Sequence, residues 1–157
     1  MRFDSMTMNW GKADFRPVLD RSQWIYHDCH RHYHSFESFI DMNLLYNDGR
    51  DVAQGHKASF CLEDTLCPRG TETYKCFRGV QGIAVGCGDL YAASIDCQWI
   101  DVTHVGSGSY QLHLHVNPDR YPEEADFDNN EAVCNISIQG NTVSLTSCYL
   151  SGECLEV

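Results

Sequence analysis

The chain has 157 residues, 43% of them hydrophobic, enough for one domain with a real core and too many for a disordered polymer. Its net charge is −11, from 22 acidic against 11 basic residues, which argues against nucleic acid as a partner and suits cationic, lysine-rich peptides. No apolar run approaches the roughly 18 residues of a membrane span, and residues 1–10 lack the apolar stretch of a signal peptide. The chain therefore reads as a mature domain or as a piece of a longer protein.

The first informative stretch is residues 24–35, which holds His27, His30, His32 and His34 beside Cys29. In an extended strand His30, His32 and His34 share one face. Imidazole nitrogens suit copper, zinc, iron and nickel, so the triplet reads as a transition-metal site. A straight strand would separate His30 from His34 by about 13 Å, whereas metal–nitrogen bonds are about 2 Å. The backbone must therefore bend for all three to share one ion. His27 has the other parity and is expected beside the ligands or in solvent rather than as a fourth ligand. An exposed polar strand face is the bland alternative.

Period-two patterns dominate the rest of the chain. Residues 39–46 and 51–60 flank Asn47, Asp48 and Gly49, a good hairpin turn. The segment 61–90 holds four cysteines and reads as a stapled loop region. Residues 98–105 and 110–117 flank a Gly-Ser turn and predict a second hairpin. In its second strand His113 and His115 alternate with Leu112, Leu114 and Val116 and read as the wet face. Residues 131–138 and 142–149 predict a third hairpin around Gly140. The expected fold is all-β, an irregular β-sandwich of antiparallel hairpins with long disulfide-stapled loops.

Nine cysteines without a C-x-x-C pair argue against a zinc ribbon and for disulfides formed in an oxidising compartment. The sequence Asn135-Ile136-Ser137 is a glycosylation acceptor and agrees with secretion into the extracellular space.

Beyond the histidine segment, three stretches carry a resemblance. They are Gly55-His56-Lys57-Ala58-Ser59-Phe60-Cys61-Leu62-Glu63-Asp64, Asp89-Leu90-Tyr91, and Ile95-Asp96-Cys97-Gln98-Trp99-Ile100-Asp101-Val102-Thr103. Together they resemble the catalytic domain of the lysyl oxidases, most closely the lysyl oxidase-like branch, over about residues 14–149. Residues 1–157 would be the C-terminal portion of that domain, without its leading segment. The resemblance implies a copper- and quinone-dependent protein-lysine 6-oxidase. Such an enzyme converts peptidyl lysine to the aldehyde allysine, releases ammonia and hydrogen peroxide, and cross-links matrix proteins such as collagen and elastin.

By the same resemblance His30, His32 and His34 match the copper ligands. Lys57 and Tyr91 match the pair that cross-links into lysine tyrosylquinone. Without the resemblance, Lys57 is an ordinary strand lysine and Tyr91 an ordinary aromatic. Glu124, Asp126, Asn129 and Asn130 match calcium-ligand positions, in a segment otherwise read as an acidic turn. The resemblance pairs Cys61 with Cys76, Cys67 with Cys87 and Cys134 with Cys148, and places the partners of Cys29 and Cys97 in the leading segment. It leaves Cys154 unassigned. Asp96 and Asp101, near Tyr91 in sequence, are candidate bases if burial raises their pKa; a solvated or capping role is the alternative. A truncated, catalytically inactive secreted binding module of the family is the alternative function, and a zinc hydrolase a more distant one.

Overall fold

The computed structural model describes residues 1–57, 59–95 and 98–151, the side chains of His56 and Lys57 excepted. Ten strands run in chain order: β1 Ser5–Met8, β2 Ile25–His27, β3 His32–His34, β4 Ile40–Leu45, β5 Asp51–Lys57, β6 Gly88–Tyr91, β7 Gln98–Ile100, β8 Gly108–Val116, β9 Glu131–Gln139 and β10 Thr142–Leu150. Six of them form an antiparallel sheet in the order β10-β9-β8-β4-β5-β7, and the pairs β1-β6 and β2-β3 form two small sheets. Among the described residues helix is limited to two 3₁₀ turns, Arg21–Gln23 and Cys76–Arg78. Neither is long and apolar enough to cross a membrane. The all-β class, the antiparallel pairing and the three expected disulfides are all present.

The alternating pattern explains the sheet. In β4, Ile40, Met42 and Leu44 are buried while Asp41 and Asn43 are half-exposed. β8 and β9 continue the apolar face with Leu112, Cys134, Ile136 and Ile138. Gly49 takes φ 84° in the β4–β5 turn, a conformation that favours glycine. Gly55 has a different role: a Cβ there would lie 2.7 Å from the Cβ of Met42, so its hydrogen lets β5 lie close against β4. His115 is exposed and His113 half-buried, its Nδ1 2.9 Å from Glu131 Oε1, in keeping with a wet strand face.

The 39–60 and 131–149 hairpins form as expected. The second one does not. β7 pairs with β5, setting Lys57 opposite Gln98 and Gly55 opposite Ile100, instead of folding back on β8. Both edges of β8 are already taken, by β4 and β9. Asp101 ends β7 by accepting hydrogen bonds from the backbone N–H and hydroxyl of Thr103, at 2.9 and 2.6 Å. A Gly-Ser turn between two alternating runs therefore marked a chain reversal but not which strands it joined.

Over the apolar face of the sheet lies a layer built largely of loops. Its core contains Phe36, Phe39, Phe60, Leu62, Tyr74, Ile83, Cys87 and Tyr91, all buried. Aromatic contacts run from Phe15 to Phe39 (5.8 Å between centroids), to Phe60 (5.8 Å) and to Tyr91 (5.7 Å). Loops offer few ladder hydrogen bonds, so buried side chains satisfy their backbone instead. Asp64 is fully buried and accepts from the N–H groups of Thr73, Tyr74 and Ala84 at 2.7, 3.0 and 2.9 Å. Asp89 accepts from Glu63 N–H at 3.0 Å, and the Glu63 carboxylate accepts from Cys76 N–H at 3.0 Å. Disulfides Cys61–Cys76 and Cys67–Cys87 close the same region.

Tyr74 ties this layer to the N-terminal segment by donating its hydroxyl to Asp14 at 2.7 Å. Burial, then the Asp14 hydrogen bond and charge, push its pKa up to about 12 from 10. The unfolded chain therefore releases this proton before the folded one does. The Tyr74 contribution is complete below pH 10 and lost as pH rises through about 12. Urea midpoints should fall across that window by more in the wild-type chain than in Tyr74→Phe. Asp64→Ala leaves two buried N–H groups, of Tyr74 and Ala84, and the part-buried one of Thr73 without an acceptor and should cost about 3 kcal/mol in urea unfolding, with Asp64→Asn intermediate.

Candidate metal and quinone centre

The bend that the histidine spacing requires is a hairpin. β2 and β3 pair antiparallel with His27 opposite His32, Tyr26 opposite Tyr33 and Ile25 opposite His34. Between them Arg31 takes φ 58°, and its N–H donates to the carbonyl of His27 at 2.8 Å, closing the turn. His30 therefore sits in the turn rather than in a continuous strand, and the turn folds it back over the strand pair. The ring centroids of His30 and His34 lie 5.2 Å apart, those of His32 and His34 5.1 Å, and those of His30 and His32 5.7 Å.

His27 joins this cluster. Its ring stacks on His30 at 4.4 Å and on His34 at 4.6 Å. Ring nitrogens of His27, His30 and His34 lie within 4.8 Å of one another, close enough to hold one metal ion. His27 Nδ1 is buried and has no hydrogen-bond partner among the described residues, an orphaned donor or acceptor of the sort a ligand would satisfy. Strand parity sets His27 apart from the other three only while the chain runs straight. Parity carries no information across a hairpin, where register decides, and register puts His27 opposite His32.

Ser59, Phe60 and Cys61 connect this cluster to Tyr91. Ser59 Oγ is 2.6 Å from Nδ1 of buried His34 and fixes that ring. The ring of Phe60 meets that of Tyr91 edge-on, at an interplanar angle of 87°. The carbonyl of Cys61 accepts from the Tyr91 hydroxyl at 3.1 Å. On the far side, a ring nitrogen of His32 lies within 4.8 Å of the sulfurs of the Cys61–Cys76 disulfide. Gln81, also buried, donates its amide to the carbonyl of Tyr33 and ties β3 to the stapled loops. Burial holds the Tyr91 hydroxyl well above its ordinary pKa, reinforced by the charge and hydrogen bond of Asp89 and by the charge of Glu63. Tyr91 is thus a neutral phenol, 5% exposed, at the end of an aromatic core. Lys57 closes β5 two residues before Ser59; its side chain lies outside the described residues.

Residues 1–148 match the family described as lysyl oxidase. The chain is 52% identical over 152 residues to lysyl oxidase homolog 3A of Danio rerio, which covers 96% of this chain and 21% of that protein. It is 51% identical to lysyl oxidase homolog 4 of Mus musculus and 48% identical to the Homo sapiens protein of that name, each over 95% of this chain and 20% of the relative. The chain belongs to the lysyl oxidase family. It spans about a fifth of the length of the curated relatives it matches.

Within this lysyl oxidase domain the remaining expected residues divide. Asp101 is exposed, and its pKa is lowered by the Thr103 hydroxyl and N–H, so it is a turn cap and not a base poised near neutrality. Asp96, Cys97 and Cys154 lie outside the described residues. Cys29 is exposed in the β2–β3 turn. In the acidic segment, Glu124 Oε1 accepts from the side-chain amides of Asn130 and Asn117 at 2.9 and 2.7 Å. Asn130 and Asn117 are both buried. Asp126 accepts from the N–H of Asp128 at 2.9 Å, and both it and Asn129 are exposed. The structure thus gathers Glu124 and Asn130 and leaves Asp126 and Asn129 at the rim of the turn. Asn117, at φ 48° before Pro118, went unremarked in the sequence except as the end of a strand.

Ser59→Ala removes the hydrogen bond that orients His34 without touching a ring nitrogen. Copper affinity, measured by chelator competition, should fall about 10- to 100-fold while the urea midpoint stays close to that of the wild-type chain.

Proposed function

We propose that this domain is a copper-dependent amine oxidase that converts peptidyl lysine to the aldehyde, with release of ammonia and hydrogen peroxide. The observation that carries this reading is the three-residue link from Ser59 to Cys61, which ties a histidine cluster to a buried tyrosine at the position of the family's quinone precursor. His30, His32 and His34 are the proposed copper ligands by their match to the family, and the imidazole donor set suits Cu(II); His27, whose ring nitrogen lies within 4.8 Å of those of His30 and His34, stands beside them. Lys57 and Tyr91 are the proposed precursors of lysine tyrosylquinone. Bound copper, with O₂, supplies the oxidising power that turns a tyrosine ring into a quinone joined to a lysine amine, whose carbonyl reacts with a substrate amine.

The chain's own residues prepare that chemistry. Ser59 keeps one nitrogen of His34 occupied so that the other faces the cluster. Phe60 walls Tyr91 off from water on one side, and Cys61 and Asp89 hold its hydroxyl. Glu124, Asp126, Asn129 and Asn130 provide oxygen donors for a calcium ion that would brace the start of β9. The net charge of −11 favours encounter with cationic, lysine-bearing substrates, and collagen and elastin are proposed as substrates from membership of the family. The disulfides agree with a secreted, extracellular protein.

Tyr91→Phe keeps the ring that packs on Phe60 and removes the oxygen. Amine-dependent peroxide release with a lysine-rich peptide should drop to background, and quinone absorbance should vanish, while copper content is retained. Peroxide release equal to that of the wild-type chain would overturn the assignment of Tyr91. A wild-type chain lacking the Lys57–Tyr91 cross-linked peptide in mass spectra would favour a binding module without turnover.

A further inference from the structure

The acceptor sequence Asn135-Ile136-Ser137 has no part in the oxidase site, yet β9 presents it in a particular way. Ile136 is 3% exposed and points into the core, so Asn135 and Ser137 lie on the opposite, polar face of the strand. The Asn135 amide donates to Ser147 Oγ at 3.1 Å, in an exposed contact. The β9–β10 register slips between Leu145 and Ser147, and the freed Thr146 hydroxyl donates to the Asn135 carbonyl at 2.9 Å. Asn135 therefore stands beside a bulge, where the neighbouring strand bends.

β10 is the last strand of the six-stranded sheet, and among the described residues no strand pairs with its outer edge. Its nine residues include no charge and no proline, and Val143, Leu145, Tyr149 and Leu150 are exposed, Leu145 at 63%. Sheets normally blunt such an edge with lysine, proline or a covering element, because a long apolar edge is a template for pairing with other chains. Among the described residues only the bulge does so.

We propose that Asn135 carries an N-linked glycan, and that this oligosaccharide shields the β10 edge from strand pairing between chains. The bond formed joins the Asn135 side-chain nitrogen to the anomeric carbon of the first sugar. The bond broken links that carbon to a lipid pyrophosphate donor, and one amide proton leaves to the transferase's base. The second amide proton remains to donate to Ser147. The glycan root is one strand from the free edge and three strands from β5, roughly 14 Å across the sheet, so it leaves the strand of Lys57 open. The proposal rests on the secretory route of the proposed function and not on its oxidase chemistry.

The full chain, given a leader and secreted from animal cells, is digested with peptide-N-glycosidase in ¹⁸O water and mapped by mass spectrometry. Most molecules should show Asn135 as labelled aspartate. Asn135→Gln and Ser137→Ala should each abolish the gel shift and lower the monomer recovered by size exclusion several-fold, with Leu145→Lys restoring it. Secreted chains that contain the Cys61–Cys76 disulfide but an unmodified Asn135 overturn the proposal and leave the oxidase reading standing, which peroxide release tests separately. Unglycosylated variants that stay as monomeric as the parent overturn the shielding role.

Discussion

The backbone pairing of Phe36 with Phe60, through reciprocal N–H to carbonyl bonds at 3.1 and 2.7 Å, holds the histidine hairpin against the segment after β5. The rest of the site depends on it. Because Phe60 is fixed at Phe36, Ser59 reaches His34 and Cys61 reaches Tyr91. Two buried groups from β3 and β6, which share no sheet, are thereby brought to neighbouring residues of one stretch of chain. A proposed metal ligand and a proposed quinone precursor are positioned by the same three residues, so a shift in one is transmitted to the other.

Such a junction cannot be built from regular sheet alone, since it lies where strands end. The loops that surround it are stable because their backbone groups are satisfied by side chains. Asp64, Glu63 and Asp89 between them accept five backbone N–H bonds around the junction. The Cys61–Cys76 and Cys67–Cys87 disulfides restrict the unfolded chain, an entropic gain of about 3 kcal/mol for a loop of 15 residues. The carboxylates give the loops a specific shape, and the disulfides make that shape persist. Asp89 serves twice, capping Glu63 and holding Tyr91 in its neutral form.

Much of the fold was legible because strand burial leaves a period-two imprint. β4 with β5 and β9 with β10 could be read from alternation around a turn containing glycine. The partner of β7 could not, because pairing depends on which edges remain open after the sheet assembles, a global property. His27 shows the same limit at the site: alternation orders side chains within a strand, whereas a hairpin turn at Arg31 juxtaposes residues of opposite count. Ser59 and Gln81 left no local signal at all, since a serine or glutamine becomes a positioning residue only through what the fold places beside it.

The sequence by itself determined the chemistry available: a cluster of imidazoles proposed as metal ligands, a tyrosine and a lysine proposed as quinone precursors, cysteines that pair as expected, and strand segments marked by alternation. Only the tertiary structure decided convergence. It brought His27 into the cluster, linked His34 to Tyr91 through residues 59–61, and made Asp101 a turn cap. The physical reason is range. Alternation and turn propensity act over a few residues, whereas burial, register and hydrogen-bond satisfaction are settled between segments tens of residues apart.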